Sequence, residues 1–433
     1  SSFDFDAVPR DAARFTKLDL RGGLAFATPE RRSPADMSVR QWAPRFGFAF
    51  QILPRTVLRG GYGLFWLPNN LATTNSGTNN PAFSTSTALV SSVDGGVTPL
   101  TLISNPFPDG LLSPPGGVAG ADTLIGQAVS GWLRETRPGN TQQWNLSIQQ
   151  DLSRGLTFET AYAASKGTHL PTAPQFDQLP NQLLSLGQGL LQQVPNPFFG
   201  LVSTGELSTR TVSTGQLLRP FPHFTGVTGN APLGNLTYHS LQVKVSQRFA
   251  QGAMVTLVYT FAKNLGDVSG PQTGFMDNNN RRLDKSYASF DLPHRAVLHF
   301  NYELPFGKSR KLPGKWNALV AGWQVNGLAT MQSGFPITFG TAQNVTNSFG
   351  GGSRPNQVGN PVVPGSAHER LNKWFDPAAF AQPAAFTFGD VPGTFGLVRS
   401  HGVANLDFSL FKNVRFLERY TLQVRAESFN VMN

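Results

Sequence analysis

The stretch HSLQVKVSQRFAQGAMVTLVYTFAKN, His239 to Asn264, reads as two β-strands around a tight turn. In its first half Leu241, Val243 and Val245 point one way, while Gln242, Lys244 and Ser246 point the other. Successive strand side chains face opposite sides of a sheet, so strict alternation makes one apolar and one polar face. The fold turns on what the apolar face meets: a packed core, a second sheet or lipid.

The same pattern recurs on either side of this hairpin. Before it lie Phe15–Thr28, Ala43–Ile52, Thr56–Leu67 and the pair Thr141–Gln150 and Leu156–Ser165. After it come His294–Phe306, Asn317–Gly334 and the pair Asn405–Val414 and Tyr420–Val431. That makes about eleven strands, with an amphipathic helical pattern only at Pro180–Gln193. The connections alternate in length. Leu53–Arg55, Asp151–Gly155, Phe249–Gly252 and Arg415–Arg419 are short, whereas Pro68–Asn140, Lys166–Leu236, Leu265–Pro293 and Phe335–Ala404 run to dozens of residues.

Antiparallel neighbours place successive connections at opposite ends of a sheet. One end therefore carries tight turns and the other long loops, and loops beyond roughly 15 residues are uncommon in compact domains unless functional or disordered. This asymmetry predicts an all-β protein, an antiparallel up-and-down transmembrane β-barrel with short periplasmic turns and long extracellular loops. A propeller would repeat every 40 to 45 residues or so, and a sandwich rarely carries four loops this long.

Composition bounds the alternatives. Of 433 residues 14% are charged and 39% hydrophobic, with 45 Gly, 32 Pro and 34 Phe. That much Gly and Pro disfavours helices, and the apolar fraction disfavours disorder. Without cysteine there are neither disulfides nor thiolate metal sites. The net charge of +10 is scattered rather than clustered, which suits an anionic membrane surface. Nucleic acid would want basic and aromatic residues interleaved in one patch, and none is visible. No run of about 18 apolar residues marks a transmembrane helix. The chain starts at Ser1 without a signal peptide, which reads as a processed or excerpted chain.

A lysine or arginine facing lipid at mid-membrane costs about 2–4 kcal/mol, so the polar face is expected to line a wet lumen. Arg59, Lys244, Arg248, Arg295 and Arg425 are the candidate lumen-facing residues. Trp42, Trp66, Trp144, Trp316, Tyr162, Tyr238, Tyr302 and Tyr420 fall near strand ends and are candidates for the aromatic girdle at the two membrane interfaces. Aromatics also favour strands in any β core. Gly47, Ala49, Gly61 and Gly63 sit opposite the Phe46, Phe48 and Phe50 face or beside Arg59, either leaving lumen space or marking bulges.

The chemical inventory is thin, and no enzyme, cofactor or metal site is expected. Nucleophile-elbow, zinc-helix and phosphate-loop motifs are all missing. His294 and His299 lie five apart in one strand, so they point to opposite faces. The segment GFMDNNNRRLDKSYASFD gathers Asp277, Arg281, Arg282, Asp284, Lys285 and Asp291 without calcium-loop spacing, and reads as a solvated loop with local ion pairs. Gly350–Ser353, GGGS, reads as flexible loop. The basic loops suit acidic lipopolysaccharide or a ligand.

Five segments taken in order resemble a known family. RFGFAFQILPRTVLRGGYGLFW, TQQWNLSIQQDLSRGLTFETAYAASKGTHL, SFDLPHRAVLHFNYELPFGKSRK, GWQVNGLATMQSGFPIT and LQVRAESFNVMN look like the Oar-like TonB-dependent outer-membrane receptors, over nearly the whole chain. The resemblance implies a plugged barrel of about 22 strands in a bacterial outer membrane, surrounded by lipid and lipopolysaccharide. It implies energised uptake or export of a bulky ligand with TonB as partner. Residues 1–433 would be a later part of such a barrel. The TonB box, plug and regulatory domain are not visible, nor are the return strand and terminal aromatic. The family supplies no catalytic residues. The competing expectations are an anchor or adhesive surface protein that transports nothing, and, more distantly, a soluble all-β carbohydrate-binding protein. Eleven strands are an odd count for a bacterial single-chain barrel and are not expected to close alone.

Overall fold

The opening hairpin forms as its alternation requires. Leu241 stands opposite Phe261, Val243 opposite Tyr259 and Val245 opposite Leu257. The computed structural model describes the chain apart from residues 1, 16–17, 34–35, 37–39, 69–81, 88, 90, 95, 109, 135–136, 204, 250–251, 269–273, 307–318, 417–418 and 433.

Ten strands make the wall: β1 Arg45–Leu53, β2 Thr56–Trp66, β3 Asn140–Ser153, β4 Leu156–Thr172 and β5 Gly226–Arg248. They continue as β6 Ala253–Gly266, β7 His294–Glu303, β8 Trp323–Gln332, β9 Val403–Phe416 and β10 Tyr420–Ser428. Each pairs antiparallel with its neighbour in chain order, an up-and-down meander. Among the described residues β1 and β10 do not pair with each other, so the sheet has two edges. Register runs unbroken across Gly60–Gly63. The glycines there are therefore not bulges, and the small face of β1 and β2 is simply small.

The segment Phe15–Thr28 is not an eleventh wall strand. Among its described residues only Gly23–Ala25 forms a strand, and it pairs antiparallel with Ser2–Asp4. Ser2–Asp4 runs parallel to Ala128–Leu133, which runs parallel to the first residues of β5. Gly22 takes a left-handed φ of +90° that breaks the run. Leu20 and Leu24 are fully buried rather than presented on a sheet face. The sequence alternates here because a short strand in a packed layer alternates too.

The core lies in the segment before β1 and in the long connections. Phe3, Leu24, Val129, Phe221, Phe224 and Val227 form one cluster; Leu20, Phe198, Val202, Leu207 and Val212 form a second. A third gathers Leu179, Leu184 and Leu190, and a fourth Val391, Phe395 and Val398. All of these except Val227, at the start of β5, lie outside the ten wall strands. The described residues of the long loops thus pack into a cap at one end of the wall. Strands β4 and β5 extend into it, which shortens their connection relative to the sequence expectation. Pro180–Gln193 is not an amphipathic α-helix: Asn181–Leu191 makes tight 3-10 turns broken at Gly187, whose φ is +52°.

Candidate functional site: the polar face and its cap

Cross-strand partners share a face, so the register assigns every wall side chain to a side. Arg59 is opposite Ser147, Ser147 opposite Ala161 and Ala161 opposite Gln242. Gln242 is opposite Thr260, and Thr260 opposite Arg295. Lys244 and Arg248 follow Gln242 at even spacing on β5. Glu303, at even spacing from Arg295, connects through Gln324 and Phe411 to Arg425. The five basic candidates therefore share one face. Arg59 Nη1 donates to Gln149 Oε1 at 2.7 Å, and Lys244 stands directly across from Glu159. Arg425 donates to Gln423 and lies over the Phe411 ring.

The opposite face carries exposed apolar side chains: Phe46, Phe48, Phe50, Leu146, Leu241 and Phe261, among others. Trp66, Trp144, Tyr162, Tyr302 and Tyr420 stand on it. Tyr302 and Tyr420 lie near the turn end, opposite Ala253 and Phe416, and Trp66, Trp144 and Tyr162 lie toward the loop end. Trp42 precedes β1, strongly exposed, and its carbonyl accepts from Trp66 Nε1 at 2.8 Å. Tyr238 is on the polar face, opposite Ser165 and Asn264, one residue out of step with Leu241. Trp316 lies outside the described residues. Two histidines, His239 within β5 and His294 at the start of β7, join the aromatic face. Tyr162 Oη and His239 Nδ1 share a hydrogen bond of 2.6 Å, and Tyr259 Oη and His294 Nδ1 one of 2.8 Å. Their signal was parity alone, an imidazole in step with the apolar positions.

Above the wall, buried charges lock the loops together. The carboxylates of Gly274–Asp291 are not solvated: Asp277 and Asp291 are each 1% exposed and Asp284 is 7%. Their partners lie far along the chain, which is why a local reading missed them. Arg354 donates to Asp284 and Arg399 to Asp291, each at 2.7 Å. Asp277 accepts from Gln178 at 2.7 Å and from Asn181 at 2.6 Å. Burial raises the Asp284 carboxyl above its ordinary value against the pull of Arg354. Asp177 and Arg219 form a third pair at 2.7 Å, with the guanidinium over the Phe349 ring at 4.6 Å. Burial raises the Asp177 carboxyl and lowers the Arg219 guanidinium, and their contact opposes both. GGGS is not slack either: a Cβ on Gly351 would strike the Phe275 carbonyl.

Within the cap lies a cavity of about 730 Å³, lined by Phe15, Leu20, Asp122, Ile125, Gln127 and His223 among others. That volume is in the range of small-molecule sites. His223 is fully buried; its Nε2 pairs with the Gly22 carbonyl at 3.0 Å and its Nδ1 has no hydrogen-bond partner. Burial pushes this imidazole down to about 4. Among the described residues no group of three His, Cys, Asp or Glu is placed to hold a metal ion.

A meander with one apolar, aromatic-bounded face and one polar face, capped by long loops at one end, is the wall of a membrane β-barrel. The sequence matches the outer membrane beta barrel domain family over residues 1–433, and the chain belongs to that family. Its place is the bacterial outer membrane. Similar solved structures include the outer membrane transporter YddB from Escherichia coli, at 9% identity and TM-score 0.47 over 90% of this chain and 36% of that one. The siderophore receptor PirA from Acinetobacter baumannii follows at 10% and 0.40, over 90% and 37%. The FrpB iron transporter from Neisseria meningitidis stands at 8% and 0.39, over 90% and 35%. The chain thus spans little more than a third of the length of these proteins. No curated protein matches the sequence.

Proposed function

We propose that this chain is barrel wall and extracellular cap of an Oar-like TonB-dependent transporter, which moves a bulky ligand through a plugged lumen. One observation carries the reading: among the described residues, a ten-strand wall with two unpaired edges. An open edge in lipid leaves backbone groups without partners, so the wall closes only with further strands, into a barrel wider than ten. A barrel that wide has a lumen large enough to need a plug. The polar face with Arg59, Lys244, Arg248, Arg295 and Arg425 lines that lumen, and the cap forms the entrance. No step of this function calls for a catalytic residue, and we assign the chain no enzymatic role. The test is cross-linking of the full-length protein in intact cells, followed by a search for a TonB adduct. An adduct is expected; its absence in cells where another receptor gives one would overturn the reading in favour of an anchor that transports nothing.

A further inference from the structure

A cluster of positive charge sits on the lipid-facing side of the wall. On that face Tyr162, Leu241 and Phe261 form one row, and Ala164, His239 and Lys263 form the next row toward the cap. Lys166, Thr237 and Leu265 form the row above. The connection after β6 folds back against these rows, so Lys166, His239, Lys263, Arg281, Arg282 and Lys285 line one cleft of about 490 Å³. Asp267 is the one carboxylate in its lining, 3.9 Å from Arg281. Arg281 also donates to the Leu233 carbonyl at 2.7 Å, which fixes its guanidinium at the rim. Lys263 lies over the Tyr287 ring at 5.4 Å.

The height of the cleft identifies its ligand. Two residues along a strand rise about 7 Å. Lys166 therefore stands two steps, roughly 13 Å, above the Tyr162 row, at the level where charge joins the last aromatics of that face, Trp144 in the Ala164 row and Tyr287 in the Leu265 row. Side chains facing lipid at that level meet the headgroups of the outer leaflet. Clustered Lys and Arg bind phosphate through charge-assisted hydrogen bonds. We propose that this cleft holds the phosphorylated sugar headgroup of an outer-leaflet glycolipid. The proposal rests on the outer-membrane placement alone and is independent of what passes through the barrel.

The test uses the full-length protein in phosphatidylcholine nanodiscs containing bisphosphorylated lipid A. Lipid retained after detergent extraction is counted by mass spectrometry. The combined variant Lys166→Gln, Lys263→Gln, Arg282→Gln and Lys285→Gln is expected to retain less lipid A by a factor on the order of ten or more. Asp267→Asn, which adds no bulk, is expected to retain more, and it serves if the combined variant does not fold. Equal retention by these variants and the unaltered protein would overturn the proposal, as would equal retention of dephosphorylated lipid A. Displacement of lipid A by inorganic phosphate at matched concentration would also overturn it, marking a site for a free anion.

Discussion

Asp291 and Arg399, 108 residues apart, meet at 2.7 Å with the carboxylate 1% exposed. Arg399 also reaches the Asp291 carbonyl at 3.0 Å, and the other Asp291 oxygen accepts from the Asn264 amide of β6 at 2.6 Å. One carboxylate thus joins two loops of the cap to the wall. Arg399→Ala leaves that charge buried and unpaired, which costs about 3–5 kcal/mol. The expected outcome is faster hydrogen exchange in residues 336–399 with the wall amides unchanged. Unchanged protection of the loop would refute this role.

The cap should also respond to acid through His223. Its folded pKa of about 4 lies below the ordinary value of 6.5, so the neutral ring is the form that packs. For a depressed pKa the stabilising contribution is present above the unfolded value. It is lost as pH falls from 6.5 toward 4, a change of about 3 kcal/mol. Exchange at Phe3, Phe221 and Phe224 should accelerate across that window, and His223→Gln should flatten the dependence. A profile that the substitution leaves unaltered would assign the effect elsewhere.

Neighbouring glycines should behave oppositely. An added Cβ strikes the Phe275 carbonyl at Gly351 but meets nothing within 4 Å at Gly352. Gly351→Ala should therefore loosen the contact between two loops, with added protease cleavage in the cap. Gly352→Ala should match the unaltered protein. Similar cleavage of both variants would show that the close approach is not what holds the loops.

The two faces of β5 give a matched pair. Leu241→Arg puts a charge toward lipid and should destabilise the barrel by about 2–4 kcal/mol in a bilayer. Gln242→Arg, one residue on, points to the polar side and should be tolerated. Urea midpoints of the full-length protein in lipid vesicles measure both. Equal loss would mean that the apolar face does not face lipid.

Alternation made the wall legible because each strand's pattern is set by its own residues: Leu241, Val243 and Val245 need no distant information to share a face. The cap was illegible for the converse reason. Asp284 and Asp291 looked solvated because Arg354 and Arg399 lie 70 and 108 residues away. Leu20 and Leu24 looked like wall residues because a buried loop layer and a lipid-facing strand both select apolar side chains. Tyr238 was misplaced by one residue, since an aromatic near a strand end does not announce its parity. At Pro180–Gln193 helical spacing was present, yet the left-handed Gly187 breaks the run.

The parallel pairing of β5 with Ala128–Leu133, and of that strand with Ser2–Asp4, has a consequence for how the molecule is made. Each wall strand finds its partner next in the chain, and β1–β2, β3–β4, β5–β6 and β9–β10 do so across connections of four residues or fewer, so the wall can start from local hairpins. The cap cannot. Its pairings join residue 2 to residue 132 and residue 128 to residue 226, so this layer closes only once β1 to β4 have been made. This layer of the cap therefore matures after the local hairpins of the wall. A chain caught between the two steps would present formed hairpins beneath an unfinished cap.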